Sequence, residues 1–257
     1  SVPSVSITES DLADKLLAFR QQQDGFLVPS FNTISGSGPN GAIVHYRAIA
    51  GADRELASDD LLLLDSGGHY RDGTTDITRT IAIGTPPNGA VAAYSHVLQS
   101  HIHLAMAKFP TGTNGKQLDA IARAPLWAAG LDFAHGTGHG VGHVLSVHEG
   151  PASISKRGDV ALEAGMVLSN EPGYYQTGDW GIRIENLIVV TPAKQTGFLE
   201  FETITLCPLD RRLIDKTLLD AGEIAWIDSY HRAVYEQLHP HLSPMAKSWL
   251  EVACCPL

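Results

Sequence analysis

Asp65-Ser66-Gly67-Gly68-His69-Tyr70-Arg71-Asp72-Gly73-Thr74-Thr75-Asp76 follows four consecutive leucines, Leu61–Leu64, and runs into Ile77-Thr78-Arg79-Thr80-Ile81-Ala82-Ile83. The leucine run reads as a buried strand. From Asp76 to Ile83 the residues alternate as a strand does. The glycines at 67, 68 and 73 predict a hairpin or meander between the two. Asp65 therefore closes one strand and Asp76 opens the next. A single such Asp is readily explained as a turn acid satisfied by backbone amides. Two acids at the mouth of one hairpin can aim at a common point, which suits a two-metal site. An acid at the end of a buried strand is costly unless paired or ligated.

Upstream, Thr8 to Asp11 fits the capping pattern, and Leu12, Leu16 and Leu17 share a face, which predicts a helix over 9–23. Ser30–Pro39 is rich in turn formers, and Ala42–Tyr46 reads as a short strand carrying His45. Downstream, residues 88–108 and 114–130 have helical periodicity, with Gly130 as a C-terminal cap. Met166–Ser169 reads as a strand, Ile182–Val190 as another and Phe198–Leu206 as a third. Trp226, Tyr230, Val234 and Leu238 recur every four residues in a helix, and 244–253 forms a last short one. With no linker or low-complexity tract, the chain reads as one α+β domain over 1–257. It has no close repeat, but each half delivers acids from strands, which suits a pseudo-symmetric fold.

Two further segments concentrate chemistry. His135-Gly136-Thr137-Gly138-His139-Gly140-Val141-Gly142-His143 is followed by His148-Glu149-Gly150-Pro151. His135, His139 and His143 are spaced i, i+4, i+8, but the intervening glycines argue against a helix. No Glu follows His135 as an H-E-x-x-H zinc site requires, and the glycines do not make G-x-G-x-x-G. The segment reads as a loop that brings backbone and imidazoles close to a ligand. The other segment holds Glu171, between an apolar strand and Pro172-Gly173, and Glu185, inside a strand of Ile, Leu and Val. A salt bridge with Arg183 is the plain alternative for Glu185, since residues two apart share a strand face. Together Asp65, Asp76, Glu171, Glu185 and one histidine make an oxygen-rich set with one nitrogen, suited to Mn²⁺ or a similar ion. Four carboxylates balance two divalent ions, which can activate a water and polarise a carbonyl.

The 257 residues include 28 acids, 18 bases and 12 histidines, for a formal charge of −10. That balance gives no electrostatic reason to bind nucleic acid. At 44% hydrophobic the chain is too apolar for disorder, and no apolar run approaches the roughly 18 residues of a membrane span. Cys207, Cys254 and Cys255 are an odd number without a CxxC, which points to a reducing compartment, the cytoplasm. Ser1–Val5 does not read as a signal peptide.

The strings FNTISGSGPNGAIVHY (31–46), DSGGHYRDGTTDITRT (65–80), FPTGT (109–113), HGTGHGVGH (135–143), VHEGP (147–151), EPGYY (171–175) and GIRIEN (181–186) resemble, in order, those of the pita-bread metallopeptidases. That group contains methionine aminopeptidase, prolidase and Xaa-Pro aminopeptidase, and the likeness is strongest to eukaryotic cytosolic Xaa-Pro aminopeptidases. The resemblance implies an α+β pita-bread fold, a pseudo-symmetric antiparallel sheet covered by helices. It implies two divalent metal ions, Mn²⁺ with Zn²⁺ or Co²⁺ as alternatives, on Asp65, Asp76, His139, Glu171 and Glu185. His45, His135 and His148 match histidines that bind substrate and shuttle protons; Arg183 and Tyr175 match the pair that orients Asp65. His143 matches no ligand.

The implied reaction is hydrolysis between an N-terminal residue and a following proline by a metal-bridged hydroxide, with Glu171 as general base. Peptides with proline at position two are the implied partners, with homodimer assembly and no nucleic acid or membrane. A prolidase acting on Xaa-Pro dipeptides, or a non-catalytic peptide-binding domain of the same fold, are the alternatives. The family's N-terminal domains are absent from this chain, which is therefore expected to be either a fragment or a short member.

Overall fold

The computed structural model describes residues 6–257, and the reading of Ser1–Val5 lies outside the described residues. Thr8 caps α1 (Glu9–Gln21): its hydroxyl accepts from the Asp11 N–H, and the Asp11 carboxylate accepts from the Thr8 N–H. Then come β1 (Phe26–Pro29), β2 (Ile34–Ser37), β3 (Leu61–Ser66), β4 (Gly68–Tyr70), β5 (Gly73–Thr74) and β6 (Ile77–Ala82). β3 and β6 pair antiparallel with Asp65 opposite Thr78, and β2 lies along the other edge of β3. The glycine-bearing excursion between β3 and β6 is itself a small ribbon, β4–β5, which pairs onto β1. Of the expected hairpin or meander, the hairpin forms: β3 pairs directly with β6, and the ribbon belongs to another sheet.

α2 (Ala90–Ala105), β7 (Lys108–Pro110) and α3 (Gly115–Ala128) connect to the second half, and the two helices pack on each other. Gly130 takes a φ of 73° just past α3, the left-handed conformation a terminal glycine permits. The second half holds β8 (Gly138–His139), β9 (Ser153–Ile154), β10 (Val167–Asn170), β11 (Gly173–Gln176), β12 (Trp180–Arg183), β13 (Asn186–Pro192) and β14 (Phe198–Thr203). β10, β13, β14 and β7 form a four-stranded antiparallel sheet in that order. α4 (Ala221–Leu238) and α5 (Pro244–Ala253) close the chain. No helix among the described residues is long and apolar enough to cross a membrane.

Two apolar cores hold these layers. Tyr94, Val97, Leu98 and Ile102 of α2 are buried with Leu61, Ile182, Ile184, Ile227 and Val234. Phe109, Leu118, Ile154, Leu168, Ile188 and Val190 form the second core. Burying each such side chain contributes about 1.5–3 kcal/mol. The site lies where the sheets of the two halves meet.

Two expected strands are corrected. Ala42–Tyr46 is not a strand: Gly38–Ala42 is a 3₁₀ turn, and the chain then turns irregularly through His45. The strand lies earlier, at Ile34–Ser37, within the stretch read as turn. Its small residues serve close packing rather than bending, since a Cβ on Gly36 would meet the Asn40 backbone at 2.9 Å. Ile182–Val190 is two strands rather than one. β12 pairs with β11 whereas β13 pairs with β10 and β14, so the chain changes sheets at Ile184-Glu185. The Glu185 N–H leaves its own ladders and donates to the Thr78 carbonyl at 3.1 Å, joining the halves.

Candidate metal centre

Each candidate ligand stands where an element ends. Asp65 is next to last in β3, Asp76 immediately precedes β6, and His139 ends β8. Glu171 follows β10, and Glu185 occupies the break between β12 and β13. A strand terminus frees the side chain from ladder packing while the strand behind fixes its origin. Asp76, His139 and Glu185 each present a ligand atom within 4.8 Å of the other two. His139 Nε2 also lies 3.2 Å from Glu171 Oε1 and 3.5 Å from Asp76 Oδ2. Asp65 lines the same cleft.

The tautomer of His139 follows from its other nitrogen. Nδ1 lies 2.9 Å from the Gly140 carbonyl, which can only accept, so Nδ1 carries a proton. Nε2 then faces two carboxylates and must itself carry a proton or meet a cation. Burial opposes a charge on this ring, but the hydrogen bonds to Asp76 and Glu171 outweigh burial and lift its pKa to about 11. Burial alone would raise Glu171; the His139 proton overrides it and holds the carboxyl at about 2. Burial pushes Asp65 up to about 7 against the pull of Arg183, with Asp76 adding repulsion. Burial and the Asp76 charge push Glu185 far above the usual carboxylate range. Asp65 Oδ1 and Glu185 Oε1 are buried without a hydrogen-bond partner. Orphaned acceptors beside an inward imidazole nitrogen that must otherwise hold a proton are what a divalent cation would satisfy, so these five residues fit a metal site.

The residues behind the acids hold them in place. Arg183 Nη2 donates to Asp65 Oδ2 at 2.6 Å, and Nη1 donates to the Tyr175 hydroxyl at 2.9 Å. Tyr175 in turn lies 2.8 Å from His135 Nε2. His135 Nδ1 donates to the Gly136 carbonyl at 2.7 Å, so Nε2 accepts the Tyr175 proton. Burial lowers the His135 pKa, in keeping with this neutral ring. The plain alternative of an Arg183–Glu185 salt bridge is not what forms, because the guanidinium turns to Asp65.

Two supporting hydroxyls escaped the sequence reading. Thr78 Oγ1 donates to Glu185 Oε2 at 2.8 Å, and Ser169 Oγ donates to Glu171 Oε1 at 2.9 Å. Ser169 stands two residues from the acid it serves, whereas Thr78 serves an acid 107 positions away, which no local pattern marks. The polar face of the Asp76–Ile83 alternation faces the site and the second half of the chain, with Thr78 and Thr80 fully buried.

A cleft of about 620 Å³ opens over these groups. His45, His135 and His148 line it, together with Phe31, Val44 and Arg47. The His148 ring lies edge-on to His139 with centroids 4.1 Å apart. Burial and the neighbouring His139 lower its pKa, so it stands neutral with one N–H to give. His143 does not line the cleft: it is exposed, with Nε2 3.2 Å from the Arg71 carbonyl. The glycines around His139 act partly through packing, since a Cβ on Gly138 would run into the Ser169 carbonyl oxygen.

Two sheet-bearing halves that deliver acids to a shared cleft define a pita-bread metallopeptidase fold. The chain belongs to metallopeptidase family M24: the family model matches residues 3–192, and that of the family's C-terminal region matches 197–257. A probable Xaa-Pro aminopeptidase P of Laccaria bicolor is 47% identical over 98% of this chain and 41% of its own. Aminopeptidase P2 of Arabidopsis thaliana is 48% identical over 96% of this chain and 36% of its own. The crystal structure of Caenorhabditis elegans X-prolyl aminopeptidase, described as a cytosolic enzyme with a di-nuclear active site, superposes with a TM-score of 0.93. It is 44% identical, over 97% of this chain and 42% of that one. Prolidase from Pyrococcus furiosus superposes with a TM-score of 0.69 at 32% identity, over 77% and 55%. The chain thus spans about two fifths of the length of the curated relatives it matches.

Proposed function

We propose that this chain is the catalytic part of an Xaa-Pro aminopeptidase, cleaving the bond between an N-terminal residue and a following proline. The observation that carries it is the convergence of four carboxylates and the His139 Nε2 on one cleft, with Asp65 Oδ1 and Glu185 Oε1 unpartnered. The similarity to aminopeptidases P supplies the substrate class.

Asp65, Asp76, His139, Glu171 and Glu185 would hold two divalent ions, for which we propose Mn²⁺. When bound, such ions acidify a water and polarise a carbonyl. Glu171 takes the proton of the attacking water and gives it to the proline nitrogen as the amide bond breaks. The neutral His148 donates its N–H to the oxyanion as it develops. His135, held by Tyr175, and His45, which lines the same cleft, position the proline side. Proline lacks an N–H and fixes φ, so the pocket recognises a shape more than a donor.

Arg-Pro-Pro should be cleaved with Mn²⁺ added and left intact after chelation. Glu171→Ala and His139→Ala should each abolish turnover, and wild-type rates in either would sink the assignment. Prolidase is the second reading, favoured by the similarity to the Pyrococcus enzyme; comparing an Xaa-Pro dipeptide with the tripeptide decides between them. A homodimer and a cytoplasmic location belong to the same proposal. All three cysteines are free, which suits a reducing compartment.

A further inference from the structure

The cleft wall that carries His45 has no strand to hold it. After the 3₁₀ turn at Gly38–Ala42 the chain passes through His45 in turns and irregular backbone. What anchors it is Glu9, in the first turn of α1 and wholly buried. Glu9 Oε1 accepts from the Ser37 N–H at 2.6 Å, from Ser37 Oγ at 2.9 Å and from Asn40 Nδ2 at 3.1 Å. Oε2 accepts from Asn40 Nδ2 at 3.0 Å, the Tyr46 hydroxyl at 2.8 Å and the Arg54 N–H at 3.2 Å. Every one of these donors is neutral. A buried carboxylate tolerates that setting only while its donors stay in place, so it ties four separate points of the chain to one another.

Tyr46 lies between His45 and Arg47, and all three line the cleft. The metal-ligand acids stand on other elements. Ser37 pairs with Leu62 at the end of β2 remote from Asp65, which pairs with Ile34. We infer that Glu9 is a positioning residue for substrate: through Tyr46 it fixes the His45 wall of the cleft relative to the acid cluster. This rests on the aminopeptidase reading above.

The test compares Glu9→Gln and Tyr46→Phe with the wild-type chain, Mn²⁺-loaded, on Arg-Pro-Pro. A glutamine keeps one acceptor for Ser37 but turns an N–H₂ toward the Tyr46 and Arg54 donors. KM should rise about tenfold in Glu9→Gln and about threefold in Tyr46→Phe, with kcat within about twofold, because ground-state positioning is lost and the reacting groups are not. Mn²⁺ affinity should be unchanged. Amide hydrogen exchange over 43–47 should quicken while that of 61–66 and 186–192 stays as in wild type. Tyr46→Phe removes one hydroxyl and carries the test if Glu9→Gln does not fold. Wild-type KM and exchange in the folded variants would overturn the inference. So would a loss of kcat and Mn²⁺ affinity at constant KM, which would assign Glu9 to the metal frame. A wild-type chain that leaves the peptide intact defeats the aminopeptidase reading alone; the exchange comparison then decides the role of Glu9.

Discussion

Arg183 grips one oxygen of Asp65 at 2.6 Å and leaves the other without a partner, although both are buried. Thr78 treats Glu185 the same way, donating to Oε2 and leaving Oε1 bare. In each case one oxygen sets the orientation and the other is left as an acceptor. The acids therefore repel one another in the metal-free chain, and the site is built at a cost to the fold.

Replacing one of those acids by its neutral isostere should separate stability from metal binding. Glu185→Gln should raise the melting temperature of the metal-free protein by about 2–4 °C, the shift that about 1 kcal/mol produces at this size. It should also erase the added stability from Mn²⁺, which in wild type should reach about 2.7 kcal/mol at a hundred times Kd. Thermal melts with and without Mn²⁺ check both. A variant that melts lower when metal-free would show that Glu185 is not under repulsion.

His148 touches the cleft without belonging to the acid cluster. His148→Ala should lower kcat about 10²–10³-fold, the usual cost of losing one donor to a developing oxyanion. Mn²⁺ stoichiometry by calorimetry should stay at the wild-type value.

Two histidines away from the cleft set an acid limit to stability. Burial holds His101 down to about 3 and His231 down to about 4, with nearby arginines adding to the effect. Both are neutral in the fold, whereas in the unfolded chain they take a proton near 6.5. Their contribution is fully present above 6.5 and is lost as pH falls toward 4 and then 3. The slope should be about 1 kcal/mol per pH unit for each ring. The raised carboxyls of Asp65 and Glu185 bind protons over the same range with the opposite sign, so the histidine effect is read as a difference: between pH 7 and 4 the urea midpoint of wild type should lose ground to that of His101→Gln. The Asn186 amide lies 3.1 Å from His101 Nε2 and offers the glutamine a partner.

Gly138 has no room for a methyl group against the Ser169 carbonyl. Gly138→Ala should destabilise the chain by about 1–3 kcal/mol, the range for overpacking. Because Ser169 Oγ both accepts from the His139 N–H and donates to Glu171, Mn²⁺ affinity should fall as well. A Kd and melting temperature at wild-type values would show that the loop yields freely.

Local chemistry carried much of the fold. The capping box at Thr8, the four leucines before Asp65 and the four-residue recurrence along α4 each specify an element within a dozen residues. It failed where the partner is distant. Ser35, Gly36 and Ser37 look like turn residues until β3 and the Asn40 backbone press against them. Ile182–Val190 looks continuous because both pieces are apolar, and only the separate pairings of β12 and β13 show the break at Glu185.

The sequence by itself marked the candidate side chains: the two acids around the glycine hairpin, the glycine-spaced histidines, Glu171 before a proline and Glu185 among apolar neighbours. Those are matters of residue type and spacing, legible one segment at a time. Only the tertiary structure decided which oxygen of each acid is left bare, which nitrogen of His139 faces inward, and that Glu9 binds the Tyr46 hydroxyl beside His45. Hydrogen bonds between groups as far apart as Asp65 and Arg183, or Glu9 and Tyr46, depend on where the sheets and turns bring them. No local propensity encodes that distance.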